Sequence, residues 1–468
     1  MKLRHFTLTF FSLSVAVFAI PKVAEAASLS LIADGLNNPR NFDFASDGSI
    51  YLTESGRGGD GNGGLNCIPS PSAQYIPLCS GNTGSLLRIT PDGQRQTIIP
   101  NLTSIALQPS GEQAAGPADF KFDSKGNAYL LTGVAGNPES RDAVLQAPDL
   151  GRLYKVDLNT GSLSSIADFA QYEVENNVDG TDLISNPYAF TILNDYAYVV
   201  DGGANTISQV ALDGSGIKKA VAFPTLQTDR SKLEFPSIPP IGDIPGGGDF
   251  PGNGLPAPLT GELVSDPSGT QAFPITFQSV PTGITVAPDG NLTVSEYSYF
   301  PYPEGEARIF SVDPNTLQIQ EKLGGFTQLT GVTYDNEGNL YALQHINTSE
   351  WKEILQGGEV VGDIGGSIIK IAADGTRETI LSGNGLEAAS GLFFGPDGNL
   401  YTSNRARLAE TGSLVRIDLK KESENKKVPE PATVISLVAI SALGATKLRK
   451  RKQQEELGEE LLAKVEIL

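Results

Sequence analysis

Histidine occurs twice in the 468 residues, as His5 and His345. His5 lies in a leading segment whose pattern marks it for removal, so His345 is the one candidate general base, and a multi-histidine metal site is excluded. The plain alternative for a lone histidine is a surface position without chemistry. Carboxylates offer more. Glu54, Asp201 and Glu296 each end the second strand of a repeated hairpin, and Asp119 stands near the start of a first strand. Converging on an axis, they would suit a calcium ion, which takes about six to eight oxygen ligands. The competing reading has each accepting hydrogen bonds from adjacent turn amides. Arg40, at the start of the first repeat, completes this set of ligand-binding candidates.

Two loops add chemistry of other kinds. In ESGRGGDGNGG, Glu54, Asp60 and Asn62 present oxygens among glycines, yet the spacing of a helix–loop–helix calcium loop is not met. YSYFPYPEGEAR brings Tyr297, Tyr299, Phe300 and Tyr302 together beside prolines. Such aromatics would stack on a flat organic ligand, grip a protein partner, or plug an opening in the fold. Cys67 and Cys79 are the only cysteines and share one Gly/Pro-rich stretch, which in an oxidising compartment implies a local disulfide.

The elements that must position these residues come from a repeat. NPRNFDFASDGSIYLTES, GPADFKFDSKGNAYLLTG and NPYAFTILNDYAYVVDGG recur in kind from Val280, Leu329 and Ala389. Each reads as two alternating strands joined by a tight turn. A third strand follows every hairpin and a fourth follows five of the six. The sixth lacks one, but SLSLIADGL at Ser28–Leu36 has the form of ETILSGNGL at Glu378–Leu386. The expected fold is therefore all-β, a six-bladed β-propeller closed by its N-terminal strand, over residues 27–419. Inserts from Ser55 to Thr83, Gly133 to Leu150 and Gln344 to Gly365 emerge on one face, and a Pro/Gly-rich insert over 224–273 reads as an irregular loop.

Both ends read as targeting segments. Lys2 and Arg4 precede an apolar run and Ala24-Glu25-Ala26, a secretory signal over 1–26 with cleavage after Ala26. The tail, 420–468, holds Pro429-Glu430-Pro431, an apolar stretch at 432–446 and a basic cluster. This order resembles the PEP-CTERM sorting signal, which implies an exosortase-type peptidase as partner and a single-span membrane contact, transient or permanent. The continuation to Leu468 departs from that signal, and a plain anchor is the alternative. The formal net charge of −20 excludes nucleic acid and anionic lipid as natural partners of the body.

GLNNPRNFDF with ESGRGGDG, AAGPADFKF, YEVENNVDGTDLISNPYAF and SEYSYFPYPEGEARIFSV resemble the ScyD/ScyE family of exported cyanobacterial propellers, related to the NHL-repeat type. The resemblance covers the body except the Pro/Gly insert and implies a periplasmic, surface or extracellular protein that handles aromatic pigment precursors of the scytonemin kind. It carries no catalytic set onto this sequence. The expected function is a binding or assembly module for a small aromatic or protein ligand, with no cofactor beyond a calcium ion. The alternative is a propeller enzyme, either a calcium-dependent lactonase-like hydrolase or a quinoprotein-type sugar dehydrogenase. A structural envelope or matrix protein is a third class.

Overall fold

Apolar residues at a period of two line one face of a strand, so each repeat folds as a small antiparallel sheet rather than a helix. The computed structural model describes residues 27–70, 76–229, 232–234, 275–355 and 359–419. The leader with Ala26, most of the 224–273 insert, and the tail with Pro429, Glu430, Pro431 and the 432–446 run lie outside the described residues.

The chain opens on β1 (Ser28–Leu36) and builds blade one from β2 (Pro39–Phe44), β3 (Ile50–Glu54), β4 (Cys67–Pro69), β5 (Pro77–Ile89) and β6 (Arg95–Leu107). Blade two holds β7 (Pro117–Phe122), β8 (Ala128–Thr132), β9 (Arg152–Asp157) and β10 (Ser162–Asp168), with α1 (Glu139–Ala143) before β9 and α2 (Phe169–Asn176) after β10. Blade three is β11 (Pro187–Leu193), β12 (Tyr196–Asp201), β13 (Thr206–Ala211) and β14 (Gly216–Ala222). A ribbon of β15 (Leu226–Thr228) and β16 (Ile275–Phe277) leads to blade four, β17 (Pro281–Val286), β18 (Leu292–Glu296), β19 (Ala307–Val312) and β20 (Ile319–Phe326). Blade five is β21 (Leu329–Tyr334), β22 (Leu340–Gln344), β23 (Gly365–Ile371) and β24 (Arg377–Glu387), with α3 (Glu350–Glu353) between β22 and β23. β25 (Ser390–Phe394), β26 (Leu400–Asn404) and β27 (Gly412–Asp418) make three strands of blade six, and β1 supplies the fourth. The result is an all-β six-bladed β-propeller.

β1 lies antiparallel to β27, with Ser28 opposite Asp418 and Leu36 opposite Gly412. The Ser30 hydroxyl donates to Asp418 at 2.6 Å. The hairpin turns explain the repeated sequence. In blade two Asp123 accepts from the amides of Lys125 and Asn127, Gly126 takes φ +80°, and the Tyr129 hydroxyl reaches the same carboxylate at 3.2 Å. Asp335 with Tyr341 and Asp397 with Tyr401 repeat the device in blades five and six.

The core is divided among the blade interfaces. Tyr51, Leu86 and Ile99 of blade one meet Phe120, Leu130 and Val156 of blade two, and the other five neighbouring pairs pack in the same way. Phe42 and Phe120 are both fully buried, as the alternation requires. Burial of this kind stabilises by roughly 25 cal/mol per Å2 of apolar area.

Two boundaries differ from the sequence expectation. Blade one's third strand starts at Pro77, inside the supposed Ser55–Thr83 insert, and β5 and β6 run for 13 residues each. They rise above the sheet because Leu78, Ile105 and Leu107 bury against Val134, Leu145 and Leu150 of the blade-two insert. The 224–273 insert also opens with a strand, since β15 gains a ladder with β16 and both Leu226 and Phe277 are buried.

Candidate functional site

The inner ends of β2, β11 and β25 carry Asn41, Tyr188 and Ser390 toward the ring axis. Tyr188 and Ser390 share a 2.6 Å hydroxyl–hydroxyl hydrogen bond between blades three and six. The Asn41 amide of blade one donates to the Tyr188 carbonyl at 3.3 Å. Bonds between non-adjacent blades cross the axis and close it as a floor. Lys121 adds to the closure, reaching Phe42 O at 3.1 Å and lying 4.0 Å from the Phe393 ring centroid.

Beside this floor three loop excursions meet. The loop between β6 and β7 brings Glu112, the loop after β26 brings Arg407, and the blade-five insert brings Glu350. Arg407 pairs with Glu350 through one amino group and with Glu112 at 3.4 Å through the other. Burial opposes charge on Glu350, but Arg407, His345 and the Tyr297 hydroxyl outweigh it and hold the carboxyl below its usual range. Burial likewise works against Arg407, and Glu350 and Glu112 raise it instead.

His345 follows β22 directly and is 4 % exposed, so the surface alternative does not hold. Its Nδ1 lies 2.9 Å from the carbonyl of Ala389, which can only accept, so Nδ1 carries the proton and Nε2 a lone pair. Burial pushes the imidazole down to about 4, with Arg407 and Arg40 adding to the effect against Glu350. His345 Nε2 stands 4.0 Å from Glu350 Oε2. That same Glu350 oxygen accepts from the Tyr297 hydroxyl.

The site also holds donors in want of acceptors. Among the described residues Gln328 Nε2 and Arg407 Nε are buried without a hydrogen-bond partner. Arg40 donates to the Ala114 carbonyl at 2.6 Å and to Ser55 Oγ at 3.3 Å, but no carboxylate among the described residues pairs with it. Burial lowers its affinity for a proton, Tyr188 opposes that, and Arg407 adds to it.

Aromatic groups cover the arrangement. Tyr297 packs edge-on against Tyr302 and His345, with centroids 5.4 and 5.7 Å away, and its hydroxyl donates to Glu350. Burial, then Glu350, holds the Tyr297 phenol well above its ordinary range. The cover is clasped by polar contacts, with Trp351 Nε1 donating to Pro301 O at 3.0 Å and Ser349 Oγ to Tyr302 O at 2.8 Å. Tyr299, in the same loop, is half-buried and within electrostatic reach of Asp182 in the turn before blade three.

Sequence candidates thus divide. Arg40, His345, Tyr297 and Tyr302 come together. The four carboxylates do not converge, because each is bound by partners of its own. Glu54 accepts from Asn37 N at 2.8 Å and Ser85 Oγ at 2.7 Å. Asp201 takes the amides of Asn186, Gly203 and Ala204 and is raised by burial against those bonds. Glu296 is held by Arg308 at 2.7 Å. Asp119 accepts from Lys121 at 2.8 Å and from the Phe120 and Phe190 amides, and burial lifts it to about 6 despite the lysine.

Asp60 and Asn62 form a local turn in which Asn62 N donates to Asp60 at 3.0 Å. Among the described residues no three Asp, Glu, His or Cys side chains group as a metal site. Cys67 and Cys79 are disulfide-bonded across the β4–β5 ladder. No described helix is long and apolar enough to cross a membrane. Sequence reading missed Glu112, Gln328, Glu350 and Arg407, whose only signal is their place in or beside excursions on the insert-bearing face.

No protein-family model matches the chain, and no curated protein matches its sequence. Solved structures share the fold at low identity. Virginiamycin B lyase from Staphylococcus aureus is 12 % identical with a TM-score of 0.39, covering 84 % of this chain and 99 % of its own. A luciferin-regenerating enzyme is 8 % identical at a TM-score of 0.42, covering 84 % and 96 %. A glucose dehydrogenase is 12 % identical at a TM-score of 0.41, covering 84 % and 100 %. Likeness at this level transfers no activity.

Proposed function

We propose that this propeller is an exported binding module that takes a small aromatic molecule, bearing both a hydroxyl or N–H and an acidic oxygen, at the axial site. The observation that carries this reading is Arg40, a half-buried guanidinium beside Tyr188 and Tyr297 with no carboxylate among the described residues to neutralise it. An anionic group would satisfy it, a charge-assisted contact contributing about 1.5–3 kcal/mol. His345 Nε2 would take the ligand's donor, and Tyr297 and Tyr302 supply ring faces. Phenolic and indolic acids meet all three demands, in keeping with the resemblance to the ScyD/ScyE family and its pigment-linked members.

Trp351 is the single tryptophan of the chain and belongs to the site's cover, so its fluorescence reports occupancy. Indole and phenol carboxylates are expected to shift that emission and give a one-to-one calorimetric isotherm, with Arg40→Met weakening binding about tenfold or more. Silence from both compound classes in the folded protein would sink the reading.

An enzyme is the second reading, favoured by the tautomer of His345, whose Nε2 is free to take a proton. A base held near 4 is a weak one at neutral pH, however, and catalysis prefers a base matched to the working pH. Binding therefore accounts better for the same geometry. We further propose that the leader directs export and that the Pro429-Glu430-Pro431 tail is read by an exosortase-type peptidase.

A further inference from the structure

Away from the axis, blade three carries a second cluster that the binding reading leaves unused. Glu173 lies in the last turn of α2, 2 % exposed, and among the described residues its Oε1 has no hydrogen-bond partner. Asn205, at the β12–β13 turn and 3 % exposed, has an equally unpartnered Oδ1. The Oδ1 of Asn177, the left-handed residue capping α2, is a third buried oxygen without a donor.

Asp179 ties these groups to one place. Its Oδ2 accepts from Asn205 Nδ2 at 2.6 Å, which fixes the Asn205 amide with its oxygen turned away from that carboxylate. Burial lifts the Glu173 carboxyl to about 8, and the charges of Asp201 and then Asp179 add to it. Buried oxygens are seldom left without partners, and several in one locality, beside like charges, need a positive species to make them compatible. The C-terminal end of a helix adds its own negative pole to the same spot.

We propose that Glu173, Asn177 and Asn205 form a divalent-cation site of the calcium class at the C-terminal end of α2, with Asp179 holding the Asn205 amide in place. The donors are carboxylate and amide oxygens drawn from separated segments, which suits a large hard cation of flexible coordination more than magnesium. Binding ties α2 and the 177–182 turn to the β12–β13 turn. The site is distinct from the acidic loop of blade one and independent of the axial site.

The test uses the full folded chain, stripped with a chelator and kept at physiological salt to suppress loose surface binding. Terbium luminescence, sensitised by nearby tyrosine, is expected to saturate at one ion per chain and to be displaced by calcium, and calcium is expected to raise the melting temperature. Glu173→Gln keeps the side-chain size. It is expected to stabilise the metal-free protein while weakening calcium binding by about tenfold or more. Asn177→Gly retains the left-handed backbone, removes one oxygen and is expected to weaken binding as well. If a proton is all these oxygens hold, calcium moves neither luminescence nor melting, and the proposal fails. A calcium response undiminished in both variants also overturns it, because the ion then sits elsewhere.

Discussion

His345 shows how burial sets chemistry at a single position. Its proton affinity falls from the ordinary 6.5 to about 4, so the unfolded chain takes up a proton before the folded one does. The contribution to stability is complete above about 6.5 and is lost as pH falls toward 4, by roughly 3 kcal/mol in all. Asn at this position keeps a donor for the Ala389 carbonyl but does not titrate. Urea midpoints measured between pH 7 and 4.5 are therefore expected to fall less steeply in His345→Asn than in the parent chain. An unchanged slope would remove His345 from the acid limb. The histidine was legible in the sequence because it is alone, whereas its surroundings were not. Glu350, Arg407 and Glu112 come from three excursions far apart in the chain, and only the closed ring makes them neighbours. Glu54, Asp201 and Glu296 were visible as a matched set of strand ends, with Asp119 in a first strand, but those positions signified hydrogen bonds to separate partners, not a common ligand.

At the scale of elements, what was local could be read. Turns with Asp, Gly and Asn write the hairpins into the sequence, and the alternation of Phe42 and Phe120 with polar neighbours gives each strand its buried face. Strand length was less legible, since β5 and β6 extend only because another blade's insert offers them an apolar partner. β1 was found through its likeness to the end of β24, and its pairing with β27 completes the sixth sheet. Removing Ser28–Leu36 is expected to bare the edge of β27, lower the melting temperature by several degrees and promote association through the open edge. Calorimetry with size-exclusion chromatography checks this. A truncated chain that melts like the parent as a monomer would show that the latch carries no stability.

For the whole molecule, six interfaces of similar make share the core, so no single blade holds the fold. Its acidity suits a solvent-exposed body more than a surface that seeks polyanions. The export proposal is checked on protein recovered from outside the cytoplasm of a host with the sorting peptidase. Mass spectrometry is expected to find Ala27 as the first residue and an end near Pro431, and a peptide spanning Pro431 to Ala445 in that mature protein would defeat the sorting step.

The seam between β1 and β27 has a mechanical meaning. Ser28 and Asp418 face each other at one end of the ladder, so tension on the two ends of the ring pulls both strands from the same side. The load falls on one rung at a time and peels the seam open. Two strands drawn in opposite directions along their length would instead share the force across all rungs. A tether fixed at both termini therefore opens this circle gently at blade six, while the five blades closed by their own fourth strands stay intact.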